Sequence, residues 1–219
     1  SHAEGGKTKA TGGGSHAEGI ESVASGNASH AEGNNSHAEG KNSHAEGAST
    51  KATGDYSHAE GGMCEASGYA SHAEGHSCIA SGGYSHAEGK ETTASGSHSH
   101  TEGYGTVASA YRAHAEGDHT IAASANQHVQ GKWNVADSKS KYAHIVGGGT
   151  AEDVYDEEGK LVTQNRKNIH TVDWDGNVFY SGTLEVSAVI LRSSTAGSNK
   201  RFALTVDDSG TLSVRELTI

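Results

Sequence analysis

A Ser-His-Ala-Glu-Gly motif that returns every 14 residues restricts what this chain can fold into more than any other feature. It starts at Ser1, Ser15, Ser29, Ser43, Ser57, Ser71 and Ser85, continues as SHTEG at Ser99 and AHAEG at Ala113, and decays to QHVQG at Gln127. Midway between these motifs lies a looser one, seen as TKATG at Thr8 and Thr50, SVASG at Ser22, CEASG at Cys64, CIASG at Cys78 and TTASG at Thr92. At Ser36 the second slot is itself SHAEG, so both slots follow one seven-residue template. A period kept this strictly belongs to a chain whose units stack on their neighbours.

A seven-residue unit with glycine fifth predicts a five-residue strand followed by a tight turn, the glycine supplying a conformation that a Cβ resists. Two units close one coil. Coils stacked at about 4.8 Å give a solenoid on the order of 45–50 Å long over roughly ten coils. A helix is ruled out, because no apolar stripe of helical period runs through the glycines. Strand alternation sends the first, third and fifth residues inward and the second and fourth outward. The inward set is Ser or Thr, Ala and Gly, which leaves a thin interior. At about 25 cal/mol per Å² of buried apolar area such a roll is marginal alone, so association of copies is expected.

Composition agrees. With 31 glycines, no proline and 32% hydrophobic residues in 219, the chain lacks the material for a large apolar core. The same polarity with net charge −11 would suit disorder, but disorder does not keep a period. Twenty-seven acidic against 16 basic residues, with no basic cluster, exclude a nucleic-acid partner. No apolar stretch is long enough for a membrane helix, and no secretory signal opens the chain, so no membrane insertion is expected.

In the first slot the outward pair hardly varies. It reads His2, Glu4, His16, Glu18, His30, Glu32, His44, Glu46, His58, Glu60, His72, Glu74, His86, Glu88, His100, Glu102, His114 and Glu116, followed by His128 and Gln130. The second-slot equivalents drift through Lys9, Val23, Lys51, Glu65, Ile79, Thr93, Val107 and Ile121. One outer face is therefore constrained and the other is free. Stacked glutamates repel by roughly 1 kcal/mol per pair in water, and a neighbouring column of imidazole donors offsets that. The expectation is a subunit interface at which copies meet His-to-Glu.

Other uses of the columns are weaker. Imidazoles suit transition metals, but evenly spaced ligands do not close a tetrahedral site, so no metal or cofactor is expected; Ser97-His98-Ser99-His100 is the local exception. Histidine also titrates near neutrality, so the face could respond to pH. Ice binding wants uncharged Thr ladders, and calcium rolls want Gly-Gly-x-Gly-x-Asp, which is absent. No nucleophile, base and orienting group can be assembled, so the chain reads as a non-enzyme; Asp173, Asp175, Asp207 and Asp208 sit beside glycine or in turns. Cys64 and Cys78 share one inward column in consecutive coils, where two free, buried thiols are expected.

The period breaks after Gly131 and returns as Ala143-His144-Ile145-Val146-Gly147, two residues late, so residues 1–147 are read as the roll and 148–219 as a β-rich cap or foot. Within the latter, Asp156-Glu157-Glu158-Gly159 is a turn between short strands, and residues 169–174 and 177–186 form a hairpin around Asp175-Gly176. Residues 189–192, 201–206 and 211–217 read as further strands.

SVASG at Ser22 and TTASG at Thr92 resemble the head repeats of trimeric autotransporter adhesins of the YadA type. SHAEG followed by KYAHIVGGGT, HTVDWDGNVFYSG and VILRSSTAGSNKRFALTVDDSGTL is similar to tail-fibre or appendage proteins of phages and prophages of Gram-positive bacteria. The resemblance implies a homotrimer of left-handed parallel β-rolls that binds a bacterial cell-surface receptor, glycan or protein, from a virion tail or cell surface. Adhesin heads place apolar residues where this chain has His and Glu, so a trimer contact on this face would be polar. The β-module in place of a coiled-coil stalk favours the phage-type fibre; an adhesin head and a tailspike-type or self-cleaving enzyme are the alternatives.

Overall fold

Each coil is built from one long and one short strand, closed by two turns at residues that are mostly not glycine. The computed structural model describes residues 1–150, 153–155, 161–181, 189–192, 201–206 and 212–217. Among these the regular elements are all strands, and no helix is long and apolar enough to cross a membrane. The chain divides into two compact units, Ser1–Ser181 and Gly182–Ile219.

The first unit is a parallel β-solenoid of about ten turns with coils of about 14 residues. Its long strands, His2–Gly6, His16–Ile20 and their successors to His128–Lys132, line up in one sheet, and two-residue strands from Lys9–Ala10 to Ile121–Ala122 form the other. Register is exact to the residue: His16 pairs with His30, Ala17 with Ala31, Glu18 with Glu32 and Gly19 with Gly33. The late repeat rejoins in the same frame, His128 opposite His144 and Gly131 opposite Gly147.

Two expectations need correction. The two halves are not equivalent five-residue strands, since the second contributes only two residues, such as Val23–Ala24. Nor does the SHAEG glycine make the turn or point inward. It lies inside the long strand with φ near +100° (Gly19 103°, Gly75 107°), so alternation breaks there and it faces the surface. A Cβ on Gly19 would sit 2.1 Å from the carbonyl oxygen of Gly33, and the same conflict recurs up the column. The turns fall in the two residues after each long strand and the five after each short one, with Glu21 (58°) and Asn35 (55°) in the former and Ala28 (54°) and Asn42 (54°) in the latter held in the left-handed region.

The interior is as thin as the motif implied. Ala17, Ala31 and Ala45 face it from the long strands and Ala24, Ala38 and Ala52 from the short ones, all fully buried. Many interior hydroxyls donate to backbone carbonyls, whereas Oγ1 of Thr50, Thr92, Thr101 and Thr106 is buried without a partner. Each motif serine caps the turn before it, as Ser15 Oγ donates to the Gly12 carbonyl at 2.8 Å and Ser43 Oγ to Gly40 at 2.7 Å. In the second slot Ser22 Oγ donates to Gly33 and Ser36 Oγ to Gly47, both at 3.0 Å. Cys64 and Cys78 occupy this column as free, buried thiols, and Cys78 Sγ donates to Gly89 at 3.2 Å. The Cys64 thiol is pushed up by its hydrogen bond with Cys78 and by burial.

Beyond the last full coil, larger side chains close the open end. Val129 and Ile145 fill the alanine column, and the buried Gln127 side chain donates to the Tyr142 carbonyl at 2.9 Å and accepts from Ala123 N at 3.1 Å. Strands Tyr142–Gly148, Asn168–Asp173 and Val178–Tyr180 extend the long-strand sheet, the last two as the expected hairpin. Its turn is fixed by Asp173, whose carboxylate accepts from Asp175 N and Asn177 N. Asp153–Tyr155 pairs antiparallel with Leu161–Gln164. In the second unit Val189–Arg192, Arg201–Val206 and Leu212–Leu217 form an antiparallel meander. The turn at residues 156–159, positions 182–186 of the hairpin, and Asp207 and Asp208 lie outside the described residues.

Candidate functional site

The invariant histidines and glutamates emerge from the long strands as two columns side by side. In-register pairing stacks the imidazoles face to face. From His16 to His128 adjacent ring centroids lie 4.7–4.9 Å apart, and the planes of His72 and His86 differ by only 1°. Beside them Glu60, Glu74, Glu88, Glu102 and Glu116 line an open groove of about 970 Å³ with the glycines that follow them.

Side chains in both columns are only half-buried, for example 35% exposed at His58 and 39% at Glu60. The ring tips are not. Nε2 of His16, His30, His44, His58, His72, His100, His114 and His128 is hidden from water and has no hydrogen-bond partner. Carboxylates come close without bonding. In the early coils each imidazole faces the glutamate of its own coil, as at His16–Glu18 (3.7 Å) and His58–Glu60 (3.6 Å). In the later coils it faces that of the preceding coil, as at His100–Glu88 (3.7 Å) and His128–Glu116 (3.4 Å). His86 reaches Glu74 at 3.2 Å and bonds.

Electrostatics follow from the stacking. Burial first, then repulsion from one or both neighbouring rings of the stack, lowers His58, His72, His100 and His114 below the usual imidazole value, against the opposing pull of the glutamates. The carboxylates also relieve one another, which sequence reasoning missed. Glu88 is raised by burial and by hydrogen-bonding to Glu102 and Glu74. Glu102 is lowered by its bonds to Glu116 and Glu88. At Glu74 burial acts upward but is outweighed by bonds from Glu88, Glu60 and His86.

Triads such as His30, Glu32 and His44, or His72, Glu74 and His86, bring ligand atoms within 4.8 Å of one another. An imidazole binds metal in its own plane, however, at about 2.0–2.1 Å. Parallel stacked rings aim their lone pairs along parallel lines, so two consecutive histidines cannot converge on one ion without leaving the stack. His98 and His100 part company: His98 lies 5.0 Å from the Tyr84 ring, whereas His100 stays in the histidine stack.

A repeat with this coil and this spacing has a known counterpart. Residues 17–43 and 87–109 match the YadA head domain repeat. These two segments are similar to the YadA head repeats and make up under a quarter of the chain. YadA-like heads are in general homotrimeric and surface-exposed, and the family is generally non-enzymatic. No curated protein matches the chain.

Proposed function

We propose that this chain is the adhesive head of a homotrimeric fibre, in which the His and Glu columns of each copy, His2 and Glu4 through His114 and Glu116, pack against a neighbouring copy. The observation that carries this reading is the in-register run of half-exposed histidines and glutamates, such as His58 at 35% and Glu60 at 39%, kept constant from coil to coil on one face only. Stacked glutamates repel by roughly 1 kcal/mol per pair in water, and that cost recurs coil after coil over an alanine interior. Imidazoles and carboxylates of an adjacent copy supply opposite charge and hydrogen-bond partners to the exposed parts of these columns. Homotrimers among YadA-like heads support the same stoichiometry.

Light scattering on the chain, of mass 22.4 kDa, is expected to give three times that value. A monomer overturns the proposal. Replacing His58, His72 and His86 together with Ala is expected to dissociate the assembly; an intact trimer in that variant would exclude these columns as the contact.

Within this reading the head attaches to a bacterial cell-surface receptor, and the fibre belongs to a phage or prophage tail or appendage. Support for the tail context is the resemblance of HTVDWDGNVFYSG and the segments around it. A bacterial surface adhesin is the second reading, favoured by the matched head repeats. Binding of labelled protein to intact Gram-positive cells tests attachment, and immunogold labelling of virions against cell envelopes separates the two contexts.

A further inference from the structure

We infer that the solenoid edge carrying Tyr56, Tyr69, Tyr84, His98 and Tyr111 binds a linear, uncharged glycan; this rests on the receptor-binding role proposed above and names the chemistry of the receptor. These residues occupy the turn that leads into the next long strand, in five consecutive coils. Their rings form an unbroken row, with neighbouring centroids 5.4, 5.4, 5.0 and 5.5 Å apart. They are nonetheless open to solvent, Tyr69 at 50% and Tyr84 at 56%.

The turn does not call for aromatics. Tyr56, Tyr84 and His98 adopt φ of 58–60°, a conformation that Gly14, Asn42 and Asn126 provide at lower cost in other coils. The His and Glu columns recur throughout the roll, as a folding or assembly feature must. The aromatic row is local, because the same turns hold Asn27 and Ala28, or Lys41 and Asn42, before it and Ala125 and Asn126 after it. A local departure from a strict repeat marks a local task.

The chemistry of the strip selects the ligand. Tyrosine offers an apolar face and a hydroxyl together. One row away, where each short strand ends, Thr53, Ser67, Ser81, Ser95 and Ser109 add a hydroxyl per coil. No aliphatic side chain larger than alanine interrupts the tyrosine turns. The rings meet mostly edge to face, at 65°, 67° and 78°, so faces and edges alternate along the row, and with the hydroxyls beside them they match the C–H faces and hydroxyls of sugars along a chain. Asp55 and Arg112 oppose each other in charge, and the chain's net charge of −11 disfavours a polyanion.

The test is an array of cello-, chito-, manno- and malto-hexaoses with hyaluronan hexasaccharide as the charged control, probed with the intact assembly and followed by titration calorimetry on the best binder. Binding to a neutral hexaose is expected, with a loss of about tenfold or more in affinity for Tyr69→Ser and Tyr84→Ser. Tyr104→Ser, on the other edge, is expected to bind as the unsubstituted chain does. Circular dichroism and light scattering of each variant are expected to be unchanged. Failure of every neutral hexaose, preference for hyaluronan, or undiminished binding by the Tyr69→Ser, Tyr84→Ser double variant would each overturn the inference. So would loss of the trimer in those variants, which would assign the strip to subunit contact. A chain that adheres to cells yet ignores the hexaoses refutes the strip alone; a chain that adheres to nothing refutes the receptor-binding reading itself.

Discussion

At Gly47 the backbone runs at φ 114°, and a Cβ there would lie 2.1 Å from the carbonyl oxygen of Gly61. Gly47→Ala is therefore expected to destabilise the roll by at least about 2 kcal/mol in urea titration. Gly6→Ala, with nothing within 4 Å, should stay within about 0.5 kcal/mol. Glu88 carries a different expectation. Its carboxyl is raised by burial and by the carboxylates on either side, so its charge opposes folding at neutral pH, and Glu88→Gln should raise Tm at pH 7. The columns themselves could be read from the sequence, because the contrast between His16 or His30 and the drifting Val23 or Lys51 needs only strand alternation. Two things could not: that Gly19 sits inside a strand, which depends on how closely Gly33 approaches, and that Glu88 is raised by burial and by the carboxylates beside it, which depends on distances between coils.

Among the elements, the short strand sets the tolerance of the core. Ala80 faces an interior that holds only small groups, so Ala80→Leu should cost about 1–3 kcal/mol by overpacking, measured by thermal melting of the purified chain. The alanine column accepts Val129 and Ile145 only where the roll is ending. Seven-residue periodicity suggested two equal strands, and the structure gives Val23–Ala24 just two residues. The difference arises at the second-slot glycine: Gly26 N and Ser25 N both donate to the Ala38 carbonyl, which curls the chain into its turn early. The hairpin at Asp175-Gly176 was legible because its turn chemistry is local, with Asp173 capping its own loop. The contact that docks it was not, since Trp174 Nε1 donates to the Ser140 carbonyl across 34 residues of sequence.

For the molecule as a whole, acid should act through the histidines first. Folding lowers His30, His58, His72, His100, His114 and His144 below the ordinary 6.5, chiefly by burial, so the unfolded chain takes up protons that the folded chain refuses. The stability these groups contribute is whole above pH 6.5 and is lost as pH falls from there through the folded values. Tm is accordingly expected to drop between pH 7.5 and pH 5, and a flat profile across that window would show the rings to be freely solvated. The in-register pairing of like with like has an evolutionary consequence. Since His16 meets His30 and Gly19 meets Gly33, duplication or loss of a whole 14-residue coil by recombination rejoins every column in frame. Length can thus vary between lineages in single-coil steps without new packing having to be invented, while the tyrosine turns, present in only some coils, are the part such an exchange can shift along the roll or delete.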